Sequence, residues 1–157
     1  MRGSRVILAV LLFLAGAMIS AQLAWPLYDT GGRQWLSSEY GLRTQPMGGS
    51  AGGYHTGIDL ACRVGTPVLA VADAEVIVCA YGDSTYGKYM VLRLDSGMDV
   101  LYGHLSETWY RRGQRVTRGQ TIGLSGNTGA STGPHVHISL MIDPMVMLSR
   151  IEMAECH

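Results

Sequence analysis

From Val68 onward, apolar and polar positions follow a short period interrupted by frequent turns. "VLAVA" (68–72), "EVIVCAY" (75–81) and "YMVLRL" (89–94) are rich in β-branched and apolar residues, and "GDSTYG" (82–87) and "DSG" (95–97) are turn-forming. "MDVLYGHL" (98–105) is the next strand; "RRGQRV" (111–116) and "TRGQTIGLSG" (117–126) form a turn-linked pair, and "HVHISLMI" (135–142) closes the set. No stretch after residue 30 carries apolar residues at helical spacing over three turns. The pattern predicts an all-β fold, mainly antiparallel, of sandwich or barrel-like form.

The first residues follow a different rule. Arg2 and Arg5 precede an apolar run from Val6 to Ile19, and small residues follow. This predicts an N-terminal apolar helix that is either a signal peptide spanning 1–21, cut after Ala21, or an uncleaved anchor. The anchor reading rests on the lack of charge from Val6 to Tyr28, since a bilayer span needs about 20 apolar residues. It would tether the protein through residues 6–24. In both readings the two arginines stay inside and the following domain is exported: periplasmic, extracellular, or held at the outer face of the cytoplasmic membrane. No cysteine follows the apolar run, so a lipid anchor is not expected. The remaining chain divides into a linker (22–34), one domain (35–148) and a tail (149–157).

Composition narrows the function. With 12 basic and 12 acidic residues and zero formal charge, the chain lacks the basic excess of a nucleic-acid binder, and no nucleic-acid partner is expected. An apolar content of 47% suffices for one core, and 21 glycines suit a fold of tight turns. The arginines of "RRGQRVTR" (111–118) read as a solvated hairpin in preference to a patch for anionic polymers. Of the three cysteines, Cys62 and Cys79 are the preferred disulfide pair in an oxidising compartment, with buried free thiols as the alternative. Cys156 lies at the C-terminus, and none of the three is taken as a metal ligand.

The chemistry lies with the histidines. His135 and His137 are two apart on a predicted strand, so both face one side, about 6.6–7 Å apart. In "HTGID", His55 and Asp59 would lie about 13 Å apart on a straight strand. Gly57 between them permits a bend that shortens this distance. His104 stands in "LYGHL". Taken singly, each of these motifs reads better as a structural or solvated polar residue than as a site. Taken together, two histidines and one aspartate form a set that holds catalytic Zn²⁺ with a fourth position open. Two histidines then remain for proton transfer. The glycine-rich "GLSGNTGASTG" (123–133) is either a groove wall or a connector.

"SSEYGLRTQPMGGSAGGYHTGIDL", "GTPVLAVADAEV", "YGHL" and "RGQRVTRGQTIGLSGNTGASTGPHVHI" resemble, in order and spacing, the lysostaphin-type (LytM-like) zinc endopeptidases, from Trp35 to Ile142. The resemblance implies one zinc ion on His55, Asp59 and His137, with His104 and His135 as the catalytic pair. It implies a secreted metalloprotease whose substrate is the peptide cross-links or bridges of bacterial peptidoglycan, and the expected state is a monomer. The alternatives are a noncatalytic module that binds wall peptides or activates a partner hydrolase, and a zinc peptidase acting on other proteins. Three positions depart from the family pattern: Ala74 where Gly is usual, and Ile138 and Ser139 where an aromatic and an acid are usual. Gly49 stands where some relatives carry a tyrosine. Arg43 recurs in the family pattern as a brace at the site entrance, with a surface salt bridge as the alternative.

Overall fold

The alternating pattern becomes eleven strands among the described residues of the computed structural model, which are 23–28, 35–42 and 54–141. They are β1 (Trp35–Ser38), β2 (Gly41–Leu42), β3 (Tyr54–His55), β4 (Ile58–Ala61), β5 (Pro67–Leu69) and β6 (Ala74–Asp83). β7 (Gly87–Leu94), β8 (Asp99–Thr108), β9 (Arg115–Val116), β10 (Thr121–Ser125) and β11 (His135–Met141) follow. The main sheet runs β1-β4-β11-β8-β7-β6-β9, and every pairing is antiparallel. β2 and β3 form a separate two-stranded ribbon. The fold is all-β, as the sequence pattern predicts. The N-terminal apolar segment, Arg43, Gly49, Cys156 and the tail 149–157 lie outside the described residues.

β8 gives the fold its second layer. Residues 99–105 pair with β7 and β11, whereas residues 105–108 pair with β10, which in turn pairs with β5. The strand thus changes neighbours along its length, and β10 carries β5 over one face of the main sheet. Between the layers lies a single cluster that includes Leu60, Val68, Val76, Met90, Leu92, Val100, Tyr102, Leu105, Ile122 and Val136. On β11 and β4 the core takes alternate residues, Val136 and Leu60, and leaves His135, His137 and Asp59 on the opposite face. This is the period-two rule at work.

Residues 23–28, read from sequence as linker, run along β5. Ala24 N–H donates to Val71 O at 2.7 Å, Leu69 N–H to Pro26 O at 2.7 Å, and Tyr28 N–H to Pro67 O at 3.0 Å. Leu27 is 2% exposed and belongs to the core. Cys62 and Cys79 are both free thiols, which corrects the preferred disulfide pairing. Cys62 is buried in the core, whereas Cys79 sits on β6 beside the hydroxyl of Thr108 at 3.3 Å. Flanking one strand region in sequence does not bring two thiols together. The predicted turn 82–87 is tighter than the sequence suggests, because β6 continues to Asp83 and its carboxylate accepts from Thr85 and Tyr86 N–H at 2.8 and 2.6 Å.

Candidate metal centre and histidine pair

Strand register assembles the first half of the site. His137 on β11 stands opposite Asp59 on β4 and opposite Gly103 on β8. His55 arrives from β3, which pairs with β2 and not with the main sheet, so the chain turns a corner at Thr56–Gly57. The bend allowed by Gly57 brings His55 Nε2 to 3.1 Å from Asp59 Oδ1. Gly57 is also packed too closely for any side chain. A Cβ there would collide with Ile138 O and sit 2.8 Å from His137 Nε2.

Three ligand atoms meet as a triangle: His55 Nε2, Asp59 Oδ1 and His137 Nδ1. Its edges are 3.1 Å, 3.0 Å and 2.8 Å, and all three residues are buried. His55 Nδ1 lies 2.7 Å from Glu39 O, and a carbonyl can only accept, so the ring proton is on Nδ1 and Nε2 carries a lone pair. Nε2 therefore faces a carboxylate oxygen with lone pair opposed to lone pair. A proton on His137 Nδ1 can bridge one of these acceptors well, not both. A cation at the centre would satisfy all three. Tetrahedral zinc with bonds of about 2.0–2.2 Å has ligand edges of about 3.3–3.5 Å, close to this triangle, and the two-nitrogen, one-oxygen donor set suits it. The residues present fit one Zn²⁺. Burial by itself would raise the Asp59 carboxyl, but the His137 hydrogen bond and the positive character of His55, His135 and His137 hold it below its usual value.

The second half needs a break in the strand rule. On β8, Tyr102 and Leu105 are core residues, and Gly103 faces the site, where a Cβ would lie 3.4 Å from His137 Cβ. Simple alternation would send His104 into the core. Instead the register with β7 slips between Lys88↔Leu105 and Met90↔Tyr102, leaving one extra residue on β8. His104 there has φ of 60°, the left-handed region. The bulge turns its ring onto the site face, 4.5 Å from the His135 ring and 6.0 Å from the His137 ring. Left-handed backbone at a non-glycine residue costs about 1–2 kcal/mol.

Both remaining histidines are held in one tautomer by the 126–134 loop. His104 Nδ1 donates to Thr128 O at 2.7 Å, and His135 Nδ1 donates to Gly133 O at 2.7 Å. Each therefore presents an unprotonated Nε2, and that of His135 lies 3.7 Å from Asp59 Oδ1. Burial, with His135 and His137 nearby, lowers the His104 imidazole below its usual value; the Thr128 bond and Asp59 oppose this only in part. His137 is reversed, with Nδ1 toward the triangle and a buried Nε2 that has no hydrogen-bond partner. The structure thus gathers all five predicted residues at one place. Sequence reading missed the carbonyls of Glu39, Thr128 and Gly133, because a backbone acceptor has no residue-type signal. It also missed the Tyr86 ring, 5.5 Å from that of His137. The departures from the family pattern sit quietly: Ala74 and Ile138 are core, and Ser139 Oγ donates to Thr56 O at 2.7 Å.

Residues 53–147 match the model of peptidase family M23. The peptidoglycan DD-endopeptidase ShyA of Vibrio cholerae is 37% identical over 123 residues, which are 78% of this chain and 28% of that protein. A zinc-containing peptidase of Vibrio cholerae superposes with a TM-score of 0.66 at 35% identity, covering 77% of this chain and 36% of the other. The catalytic domain of lysostaphin from Staphylococcus simulans gives 0.62 at 31% identity, covering 74% of this chain and 92% of that domain. The chain spans less than a third of the curated relatives it matches, from 19% to 30% of their length.

Proposed function

The chain belongs to peptidase family M23, and from that membership and the geometry of the site we propose that it is a zinc-dependent endopeptidase acting on the peptide cross-links or bridges of bacterial peptidoglycan. The observation that carries this reading is the triangle of His55, Asp59 and His137, edges 2.8–3.1 Å, with the His104–His135 pair 4.5 Å apart beside it. His55 Nε2, Asp59 Oδ1 and His137 Nδ1 would hold the metal. When bound, zinc supplies Lewis acidity, bringing the pKa of water from about 15.7 toward about 7 and polarising a carbonyl.

The remaining work falls to the protein's own groups. His104 and His135 present Nε2 lone pairs, so one of them can take a proton from the attacking water. The same ring then delivers it to the departing amine. The imidazolium formed in between stabilises the tetrahedral oxyanion. The Nδ1–H bonds to Thr128 O and Gly133 O keep both rings in the tautomer that this cycle needs. The proximity of all five side chains supports this reading, and no observation favours a noncatalytic module.

Export is part of the reading, through the apolar segment after Arg2 and Arg5. Ala24 already bonds to Val71, so a signal peptide ending at Ala21 leaves the docked segment intact, whereas a bilayer tether must end before residue 24. The catalytic unit we propose is 35–148, completed by Leu27, and it acts as a monomer.

Digestion of purified peptidoglycan by the zinc-loaded protein tests the activity, with products read by mass and bound zinc by elemental analysis. Wild type should open peptide cross-links, His137→Ala should lose zinc and activity, and His135→Ala should keep zinc and stop turnover. Stoichiometric zinc with no cleavage of any wall tested would overturn the proposal.

A further inference from the structure

His104 is held at two points by two different pieces of chain. Its backbone N–H donates to Tyr86 O at 2.8 Å, in the turn between β6 and β7. Its ring Nδ1 donates to Thr128 O at 2.7 Å, in the loop before β11. The strained φ of 60° and the ring direction therefore depend on how turn and loop sit against each other. A shift in either would let the backbone relax or let the ring rotate.

One side chain joins them. Thr128 Oγ1 accepts from Lys88 N–H at 3.0 Å, at the start of β7, and donates to Leu105 O at 2.9 Å, next to His104 itself. The hydroxyl thus uses both donor and acceptor capacity on backbone groups of the two strands that the loop must be registered against. Around it the chains touch without side chains. A Cβ on Gly87 would strike Thr128, one on Gly129 would lie 2.6 Å from Thr85 O, and Ala130 N–H donates to Thr85 O at 2.9 Å. The same turn carries Tyr86, whose ring lies against His137.

We propose that Thr128 is a positioning residue for His104: its hydroxyl locks the 126–130 loop to β7 and β8, so that the Thr128 carbonyl fixes the His104 ring as the Nδ1–H tautomer with Nε2 toward the metal centre. The role in turnover rests on the endopeptidase reading; the role in tautomer selection does not. Serine keeps the donor and acceptor, whereas valine keeps the shape and loses both, leaving Lys88 N–H and Leu105 O without this partner.

The test compares the full-length wild type with Thr128→Val and Thr128→Ser. Long-range proton–nitrogen spectra of the His104 ring are recorded with and without zinc, and kcat and KM are measured on peptidoglycan for the zinc-loaded proteins. The wild type should show a protonated Nδ1 and a bare Nε2. Thr128→Val should show mixed tautomers and a kcat lowered about 10- to 100-fold, with KM and bound zinc unchanged, the range expected for loss of a supporting hydrogen bond at such a site. Thr128→Ser should keep the wild-type spectrum and stay within about threefold in kcat. An unchanged His104 spectrum in Thr128→Val would overturn the proposal, as would equal losses in the serine and valine variants, which would assign the effect to packing of the methyl group. If the wild type cuts no wall while the tautomer still follows the hydroxyl, the positioning stands and the endopeptidase reading falls.

Discussion

β11 and β8 deliver histidines to the same face of the same sheet by opposite means. β11 follows strict alternation: His135 and His137 face the site, and Val136 and Ile138 face the core. β8 breaks it, using an extra residue and a left-handed backbone to turn His104 away from the core that takes Tyr102 and Leu105. The regular strand places the proposed metal ligand, His137, with no backbone strain and leaves little room around it. The bulged strand stores strain at a residue proposed to move protons. Such strain persists only where surrounding structure over-determines it, and here the turn at Tyr86 and the loop at Thr128 do so.

The largest effect should come from crowding the β11 side. Gly57→Ala places a methyl against Ile138 O and the His137 ring, where the neighbour is backbone and cannot swing away. The expected cost is about 1–3 kcal/mol of stability, with weakened zinc binding as the His137 ring is displaced. Gly103→Ala on β8 meets nothing nearer than 3.3 Å, Cδ1 of the Tyr86 ring, and should cost clearly less. Chemical denaturation and zinc competition against a chelator measure both. Equal costs would mean that the two strands do not differ in tolerance.

A smaller and sharper contrast is a reversal of sign. At His104, glycine fits the left-handed backbone and alanine does not, so His104→Gly should be more stable than His104→Ala by about 1 kcal/mol. At His135, in extended β11, the order should invert, with glycine worse by about 0.5–1 kcal/mol. Comparing each pair cancels the loss of the imidazole itself. The same order at both positions would refute strain as the distinguishing feature of β8.

The smallest effect is on pH dependence. Burial lowers the His104 imidazole in the folded state, so the unfolded chain binds that proton more readily. Its contribution to stability is present above about pH 6.5 and is lost as pH falls below that value toward the lower folded pKa. His104→Asn should flatten the stability profile there. Denaturant midpoints across this window, with zinc withheld by chelator in both proteins, give the comparison; parallel profiles would count against it.

The strands, the all-β class and the shared face of His135 and His137 are set locally, because a period of two is carried by side chains a few residues apart. The bend between His55 and Asp59 belongs with them, since Gly57 announces that the backbone is free to turn. Other features have no local code. Leu27 joins the core from a stretch that reads as linker, and Cys62 and Cys79 remain apart although they flank one strand region. His104 reaches the site only because its strand slips against β7, and its ring is oriented by a carbonyl 24 positions away in sequence. The sequence by itself determined which residues could hold a metal and move a proton, because that depends on the chemistry of side chains. The tertiary structure alone decided which nitrogen each histidine presents, because that depends on where backbone acceptors fall in space, and every residue carries the same one.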